Sequence, residues 1–247
     1  MSASIANSTD APGFTQAGAP AHVPYQLDPS NRFHWYENHW KRVALNLLLK
    51  HYPPANKTVL DYGCGRGETL DIFGGAGFRV TGTDTDAQCV QLAERFGKSV
   101  LLKPEAAVEQ FGPKSFDVVT CFHVLEHVPS PIKTLGDISA IARDYAVLAV
   151  PNLRQLRWMG VRNISLDLVN EGHLQAWDHW HFLNLAERYC GLELVEWGFD
   201  ATIFPWLSEW AVKFLGNQSA IKLETGLFKR MFPYHGISVL GLFRVRK

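Results

Sequence analysis

Short apolar runs alternate with amphipathic stretches along most of this chain. Seven runs rich in Val, Leu, Ile and Phe predict strands, at 58–62, 79–83, 99–102, 116–121, 145–150, 192–197 and 237–244. Stretches with helical spacing between them predict helices, at 68–73, 86–96, 131–143 and 185–190. Strands that alternate with helices are typical of an α/β fold with a mainly parallel sheet.

Segments of different character flank this core or interrupt it. The first segment is rich in Ala, Ser, Pro and Gly, has no Lys or Arg, and predicts a flexible tail. A helix is expected next, because leucines on one face precede Pro53-Pro54. A second apolar helical insertion is predicted near the end. The predicted units are a tail (1–30), an N-terminal capping helix (31–54), a core (55–199), a capping insertion (200–234) and a last core strand (235–247).

The turn after the first strand is rich in glycine. It reads Gly63-Cys64-Gly65-Arg66-Gly67, and a helix pattern follows directly. The second strand ends on Asp84, 21 residues after Gly63. Strand, glycine turn, helix, strand and terminal acid form the first half of a nucleotide-binding unit. A carboxylate at this point can accept hydrogen bonds from both hydroxyls of a ribose.

The charges around the turn indicate which nucleotide is bound. Glu68 stands where a dinucleotide fingerprint has its last glycine, and Asp61 directly precedes Tyr62 and the turn. Two carboxylates would repel a pyrophosphate, but they suit a cofactor that carries an ammonium and a sulfonium. The Gly-Lys-Ser/Thr of a phosphate-binding loop is missing after the turn. S-adenosylmethionine (SAM) is the cofactor that these charges favour.

The stretches TVLDYGCGRGE and FDVVTCFHVLEHV resemble class I SAM-dependent methyltransferases of the small-molecule type, related to ubiquinone-biosynthesis O-methyltransferases. The resemblance covers about 55–200. It implies a Rossmann-like, seven-stranded α/β sheet with helices on both faces and an antiparallel last strand between the fifth and sixth. The N-terminal helix and the C-terminal helical insertion are then expected to form a cap over the carboxyl edge of the sheet.

The cofactor site predicted in this way draws on four segments. Ligands in such sheets bind at the carboxyl ends of the strands. The resemblance implies that the N-terminal segment also folds over the cofactor, through Trp35 or Tyr36. The predicted cofactor residues are Tyr36, Asp61, Gly63, Cys64, Gly65, Asp84, Thr85, Cys121, Phe122 and His123.

Tryptophan and histidine suggest where the acceptor binds. All eight tryptophans lie outside 41–157, so the predicted cap is aromatic and the nucleotide-binding core is not. An aromatic acceptor pocket is the hypothesis, with Trp177 and Trp180 in its wall. A hydroxyl acceptor must lose its proton, which histidine can take near neutral pH. The histidines expected to converge there as catalytic bases are His127, His179 and His181.

His123-x-x-Glu126-His127 matches a pattern found in some zinc peptidases, but those enzymes place it within a long helix. Some methyltransferase relatives bind a divalent metal through Glu-x-x-Glu-His. This chain has His123 in place of the first Glu. We therefore predict that no metal takes part and that activity survives chelation.

Composition narrows the class of partner. The 247 residues carry a formal net charge of +0, which disfavours a nucleic-acid partner, and a small-molecule acceptor is expected. The four cysteines have neither metal-type nor disulfide-type spacing, which favours the cytoplasm. No apolar run is long enough to span a membrane. Two alternatives stay open: a metal-assisted methyltransferase acting on RNA ends, and a non-catalytic SAM-binding regulator or scaffold. The oligomeric state is not predicted.

Overall fold

The computed structural model describes residues 32–102, 106–156 and 172–246. The strands are β1 (Thr58–Tyr62), β2 (Arg79–Asp84), β3 (Lys98–Leu101), β4 (Phe116–Phe122), β5 (Ala142–Pro151), β6 (Leu192–Phe199) and β7 (Ser238–Val245). The helices of the core are α1 (Arg32–Leu49), α2 (Glu68–Gly75), α3 (Ala87–Ala93), α4 (Ala107–Phe111), α5 (Pro131–Ile141) and α6 (His179–Tyr189). The tail predicted for 1–30 lies outside the described residues.

The seven strands form one sheet in the order β3-β2-β1-β4-β5-β7-β6. β1 to β5 are parallel, whereas β7 runs antiparallel to both β5 and β6. This confirms the predicted fold class, including the place and direction of the last strand. The strand order reverses between β1 and β4, and ligands of such sheets bind at the carboxyl ends of the strands beside that switch point.

Helices cover both faces of the sheet, so the central strands are buried on both sides. On one face Leu48 of α1 and Phe73 of α2 pack with Val118 of β4. On the other face Ile138 of α5 and Phe182 of α6 pack against the sheet. This two-sided burial explains why β4 reads as an uninterrupted apolar run rather than as an alternating one.

Helix α6 begins earlier than the sequence pattern predicts. The prediction starts it at Leu185, but the structure starts it at His179. The physical reason is a cap, since the carboxylate of Asp178 accepts a hydrogen bond from the backbone N–H of His181 at 3.0 Å. Residues 179–184, which lie outside the predicted helix, form its first turns.

The predicted insertion folds as four short helical pieces. These are α7 (Pro205–Leu215), α8 (Asn217–Lys222), a π-helical turn (Leu223–Leu227) and α9 (Phe228–Met231). Ala201 and Ile221 pack against Tyr36 of α1, and the Tyr36 hydroxyl donates a hydrogen bond to the buried Glu224. We call this segment, 200–234, the cap; it packs against α1. None of the helices described in the structure is both long and apolar enough to cross a membrane.

Candidate active site

The glycine turn brings the chain close to the loop after β4. The backbone N–H groups of Gly63 and Cys64 both donate to the carbonyl of Thr83, at 2.9 and 2.7 Å. Gly63 has φ +79°, and a Cβ there would lie 2.3 Å from Val124 Cγ2. Only glycine fits this position, which leaves backbone exposed at the mouth of the sheet.

Asp84 lies at the end of β2, opposite the turn. Its two carboxylate oxygens accept hydrogen bonds from the backbone N–H groups of Gly65 and Asp86, at 2.8 and 3.0 Å. Each oxygen keeps a lone pair for a further donor. The turn and β2 thus hold a carboxylate in a fixed orientation, as a ribose site requires.

A cavity of about 780 Å³ opens between α1, the glycine turn, β2, α3 and the loop after β4. This volume is in the range of small-molecule cofactor sites. The predicted residues that line it are Gly63, Cys64, Gly65, Asp84, Thr85, Phe122, His123 and His127. Asp61 and Cys121 do not line the cavity. Both are buried, with 2% and 0% of their surface exposed. Tyr36 lines a neighbouring recess.

Charged residues that the sequence reasoning missed form one wall of this cavity. Lys41 of α1 lies 3.4 Å from Glu68, and Arg66 lies 3.0 Å from Glu68 and 3.2 Å from Glu37. Burial would raise the pKa of Glu68, but Lys41, a backbone hydrogen bond and Arg66 together hold it below its usual value. Lys41 stands one helical turn after Glu37, and this spacing could have shown that both lie on the same side of α1.

The charge argument from the sequence therefore needs correction. Glu68 is compensated by two cations, and burial raises the pKa of Asp61 to about 7. The hydroxyl of Thr120 donates to Asp61 at 2.6 Å and limits that rise. The wall near the turn thus combines carboxylates and cations, which matches a zwitterionic amino-acid group such as the methionine end of SAM.

His123 lies where β4 ends and has φ +54°, a left-handed conformation that is uncommon outside glycine. Its ring packs on Trp40 with centroids 4.7 Å apart. Its Nε2 is 3.0 Å from the hydroxyl oxygen of Ser238, and its Nδ1 is 3.4 Å from Oε1 of Glu126. Strained residues of this kind gather at functional sites.

A recess of about 140 Å³ lies beside the larger cavity. Glu37, Trp40 and His123 line both spaces, so the two are neighbours. Asp200 forms part of the recess wall and is 1% exposed. One of its oxygens accepts the N–H of Ser238 at 2.9 Å; the other has no hydrogen-bond partner among the described residues. Burial raises the pKa of Asp200.

Glu126, His127 and His173 form a second polar group at the edge of the cavity. Each offers one ligand atom, and the three atoms lie within 4.8 Å of one another. Glu126 is 1% exposed, and neither of its oxygens has a hydrogen-bond partner in the described part of the chain. His127 Nδ1 bonds to the carbonyl of Gly172 at 2.9 Å. This geometry is compatible with a divalent cation, so the predicted absence of metal stays a prediction.

The other predicted residues lie away from both spaces. His179 is buried, and its ring lies against those of Trp197 and Tyr234 at centroid distances of 5.1 and 5.2 Å; burial lowers its pKa. His181 is exposed and pairs with Asp178 at 2.8 Å. Neither lines the cavity or the recess. The expected convergence of three histidines is not found, and His127 alone of them lines the cavity.

The two predicted acceptor tryptophans are also placed elsewhere. Trp177 is 8% exposed in the core, bridged to Asn152, whereas Trp180 is 64% exposed on α6. Neither lines the recess. Of the connection that contains Trp177, residues 157–171 lie outside the described residues. The acceptor roles of Trp177 and Trp180 stay predictions.

The sheet order, the glycine turn and the acid after β2 define an α/β protein that binds a nucleoside cofactor. Residues 33–196, about two thirds of the chain, match the methyltransferase domain family, and the chain belongs to that family. This match confirms the family of SAM-dependent methyltransferases that the sequence predicts. The glycine backbone, the oriented Asp84 and the mixed-charge wall provide groups that fit ribose and methionine.

Three comparisons give the range of similarity. The chain is 34% identical over 109 residues to the ubiquinone biosynthesis O-methyltransferase of Nitrosospira multiformis, covering 41% of this chain and 45% of the relative. It is 36% identical over 107 residues to the same-named protein of Burkholderia vietnamiensis, with 41% and 45% covered. The match spans less than half the length of these relatives. Magnesium protoporphyrin IX methyltransferase from Synechocystis, solved with bound SAM, shares the fold at 15% identity and TM-score 0.58, covering 87% of this chain and 82% of that one.

Proposed function

We propose that this chain transfers the methyl group of SAM to an oxygen of a small, partly apolar acceptor, with a histidine as the base. The observation that carries the proposal is the recess that adjoins the cofactor cavity and shares His123 with it. A buried carboxylate, Asp200, lines this recess, and one of its oxygens has no hydrogen-bond partner among the described residues. A cytoplasmic location, predicted from the cysteines, belongs to the same proposal.

The dimensions of the recess favour an acceptor head with one ring. Its volume is about 140 Å³, and an apolar cavity of about 150 Å³ can hold benzene. Tyr36, Trp40 and Ile203 supply apolar walls, whereas Asp200 and Ser238 supply polar atoms. A hydroxylated ring would place its apolar edge and its O–H donor against matching surfaces. The two bacterial relatives are named O-methyltransferases, which supports oxygen as the methylated atom.

SAM supplies a methyl group on a sulfonium, which a nearby oxygen attacks once its proton is removed. His123 borders both spaces, and its two ring nitrogens have separate neighbours. Oε1 of Glu126 lies 3.4 Å from Nδ1, and its charge favours a proton on that nitrogen. Nε2, 3.0 Å from the hydroxyl oxygen of Ser238, is then the nitrogen that can accept a proton. His127, predicted from the sequence, is the second candidate, because its Nδ1 bond to Gly172 leaves Nε2 as an acceptor.

A turnover assay tests the proposal. Conversion of SAM to S-adenosylhomocysteine is measured with a panel of hydroxylated single-ring acceptors. His123→Asn is expected to lower kcat by about 100-fold or more while the affinity for S-adenosylhomocysteine stays within a few-fold. His181→Asn, at an exposed position remote from both spaces, is the matched control and keeps full activity.

The other outcomes are equally informative. A loss confined to His127→Asn transfers the role of base to His127. If neither variant loses activity, neither His123 nor His127 is the base. If the chain binds S-adenosylhomocysteine but turns over no acceptor, the non-catalytic alternative is favoured.

Metal-assisted transfer is a second candidate, favoured by the two unpartnered oxygens of Glu126 beside His127 and His173. The prediction from His123 is that EDTA leaves turnover unchanged. The metal-assisted reaction would be established by three results together: EDTA stops turnover, one divalent metal restores it, and Glu126→Gln has no turnover with that metal.

A further inference from the structure

Exposed apolar side chains are concentrated in one segment of the chain. Eight of the fifteen large apolar residues that are exposed in the described chain lie between 206 and 234. Such a concentration on a water-soluble surface marks an interaction site. The eight are Trp206, Leu207, Trp210, Phe214, Leu215, Leu227, Met231 and Tyr234.

Helix α7 carries the main part of this surface. Its Ser208 and Ala211 are buried against the rest of the cap. On the other side, Trp206, Trp210 and Phe214 follow one another at intervals of four residues, which puts them in a single row. Their exposed fractions are 67%, 53% and 62%, and the rings of Trp210 and Phe214 lie 5.4 Å apart. The helix thus has a second apolar face that no described residue covers.

The exposed charged groups of the cap are mostly basic. Lys213, Lys222 and Arg230 are exposed, whereas Glu209 is the one exposed acid that the structure describes between 204 and 234. Glu224 is buried under the cap. The whole chain has a net charge of +0, so this excess of positive charge is local. The partner must therefore be both apolar and anionic.

Two geometric facts narrow the choice of partner. Helix α7 has 11 residues, a length of about 16 Å, which is far short of the about 30 Å of a bilayer core. A second copy meeting the first through this same face would bring like basic charges together. Tryptophan, phenylalanine and leucine on one face with lysine and arginine beside it are typical of helices that lie in a membrane interface.

We propose that α7 docks the protein on an anionic lipid surface. The row Trp206, Trp210 and Phe214 enters the boundary between headgroups and acyl chains. Lys213, Lys222 and Arg230 contact the anionic headgroups. The inference concerns the outer face of the cap and does not depend on the identity of the acceptor.

The experiment uses the full chain and co-sedimentation with vesicles. Vesicles of phosphatidylcholine alone are compared with vesicles that also contain phosphatidylglycerol. Binding is expected to the anionic vesicles and to weaken as salt is raised. Trp206→Ser/Trp210→Ser should lower it by about ten-fold or more, and Lys213→Glu/Arg230→Glu should lower it by a similar factor.

Matched controls remove the same chemistry elsewhere. Ile132→Ser/Tyr189→Ser deletes two exposed apolar side chains, and Lys98→Glu/Arg188→Glu makes the same change of charge. Both controls should bind vesicles like the parent, and unchanged affinity for S-adenosylhomocysteine shows that every variant folds.

Three results would overturn the proposal. The first is no binding to anionic vesicles by a folded, monomeric chain. The second is equal binding by the α7 variants and their controls. The third is self-association that Trp206→Ser/Trp210→Ser abolishes, which would make this face an interface between copies.

Discussion

The cofactor cavity and the acceptor recess lie side by side, yet the chain builds them in different ways. The cavity is formed largely by the turns that directly follow β1, β2 and β4. The recess joins distant parts of the chain: His123 meets Ser238 across 115 positions, and Tyr36 meets Glu224 across 188. Local backbone geometry therefore shapes the space for the cofactor, and long-range packing of the cap shapes the space proposed for the acceptor. Changes in one space should leave the other largely intact.

The largest expected effect is from Gly63→Ala, which attacks the cofactor cavity through its backbone. The added Cβ would lie 2.3 Å from Val124 Cγ2 at a φ of +79°. We expect a loss of about 2–4 kcal/mol in the free energy of unfolding, with cofactor binding abolished. Denaturant titration and calorimetry measure both. Gly75→Ala is the control, because a Cβ there meets nothing within 4 Å.

Asp84→Ala should act mainly on the cofactor. Removing a carboxylate that accepts ribose hydroxyls is expected to cost about 1.5–3 kcal/mol of binding free energy. Some stability is lost as well, because Gly65 and Asp86 lose their hydrogen-bond acceptor. Calorimetric titration with S-adenosylhomocysteine gives the affinity. An unchanged affinity would place the ribose elsewhere. The affinity of Asp84→Asn should lie between those of the parent chain and Asp84→Ala.

Asp200→Asn tests the acceptor recess. The amide keeps an oxygen for the N–H of Ser238 but replaces the unpartnered oxygen with a donor. We expect the KM of a hydroxylated acceptor to rise about ten-fold, as for one lost hydrogen bond to a charged group. The affinity for S-adenosylhomocysteine should stay within two-fold (about 0.4 kcal/mol). A loss of cofactor affinity with unchanged KM would refute the separation of the two spaces.

The smallest effect concerns His39, which stacks on Trp35 beside the recess at a centroid distance of 4.6 Å. Burial, aided by Lys229, lowers its pKa to about 4. The neutral ring is favoured in the folded state, so its contribution to stability is full above pH 6.5 and is lost as pH falls towards 4. His39→Gln should reduce this acid sensitivity by on the order of 1 kcal/mol, allowing for partial exposure. Denaturant titrations at pH 7 and pH 5 measure the free energy of unfolding of the parent chain and of His39→Gln. The same change between the two pH values in both proteins would contradict the assignment.

The same contrast explains how much could be predicted from the sequence. The seven strands follow from local pattern, the place and direction of the last strand from the family resemblance, and the turn at Gly63 from a recurrent motif; the structure has all three. The start of α6 was missed because one capping residue, Asp178, decides it. Charge was misjudged where partners are distant, since Lys41 compensates Glu68 from another helix.

The aromatic residues show the limit of composition as a guide. Tryptophan is indeed concentrated in the segments outside the nucleotide-binding core, but its distribution does not tell which side chains face a ligand. Trp40 lines both spaces, whereas Trp177 packs in the core and Trp210 faces outward. Asp200 was not foreseen at all, because its importance comes from burial beside Ser238 and not from any motif.

The most direct test of the two-part site is a crystal structure with S-adenosylhomocysteine and phenol bound together. We predict the ribose at Asp84, and the phenol ring between Trp40 and Ile203, with its hydroxyl within hydrogen-bonding distance of His123 or Asp200. A phenol ring at the surface near Trp180 and His181, with the recess filled by the cofactor itself, would contradict this account.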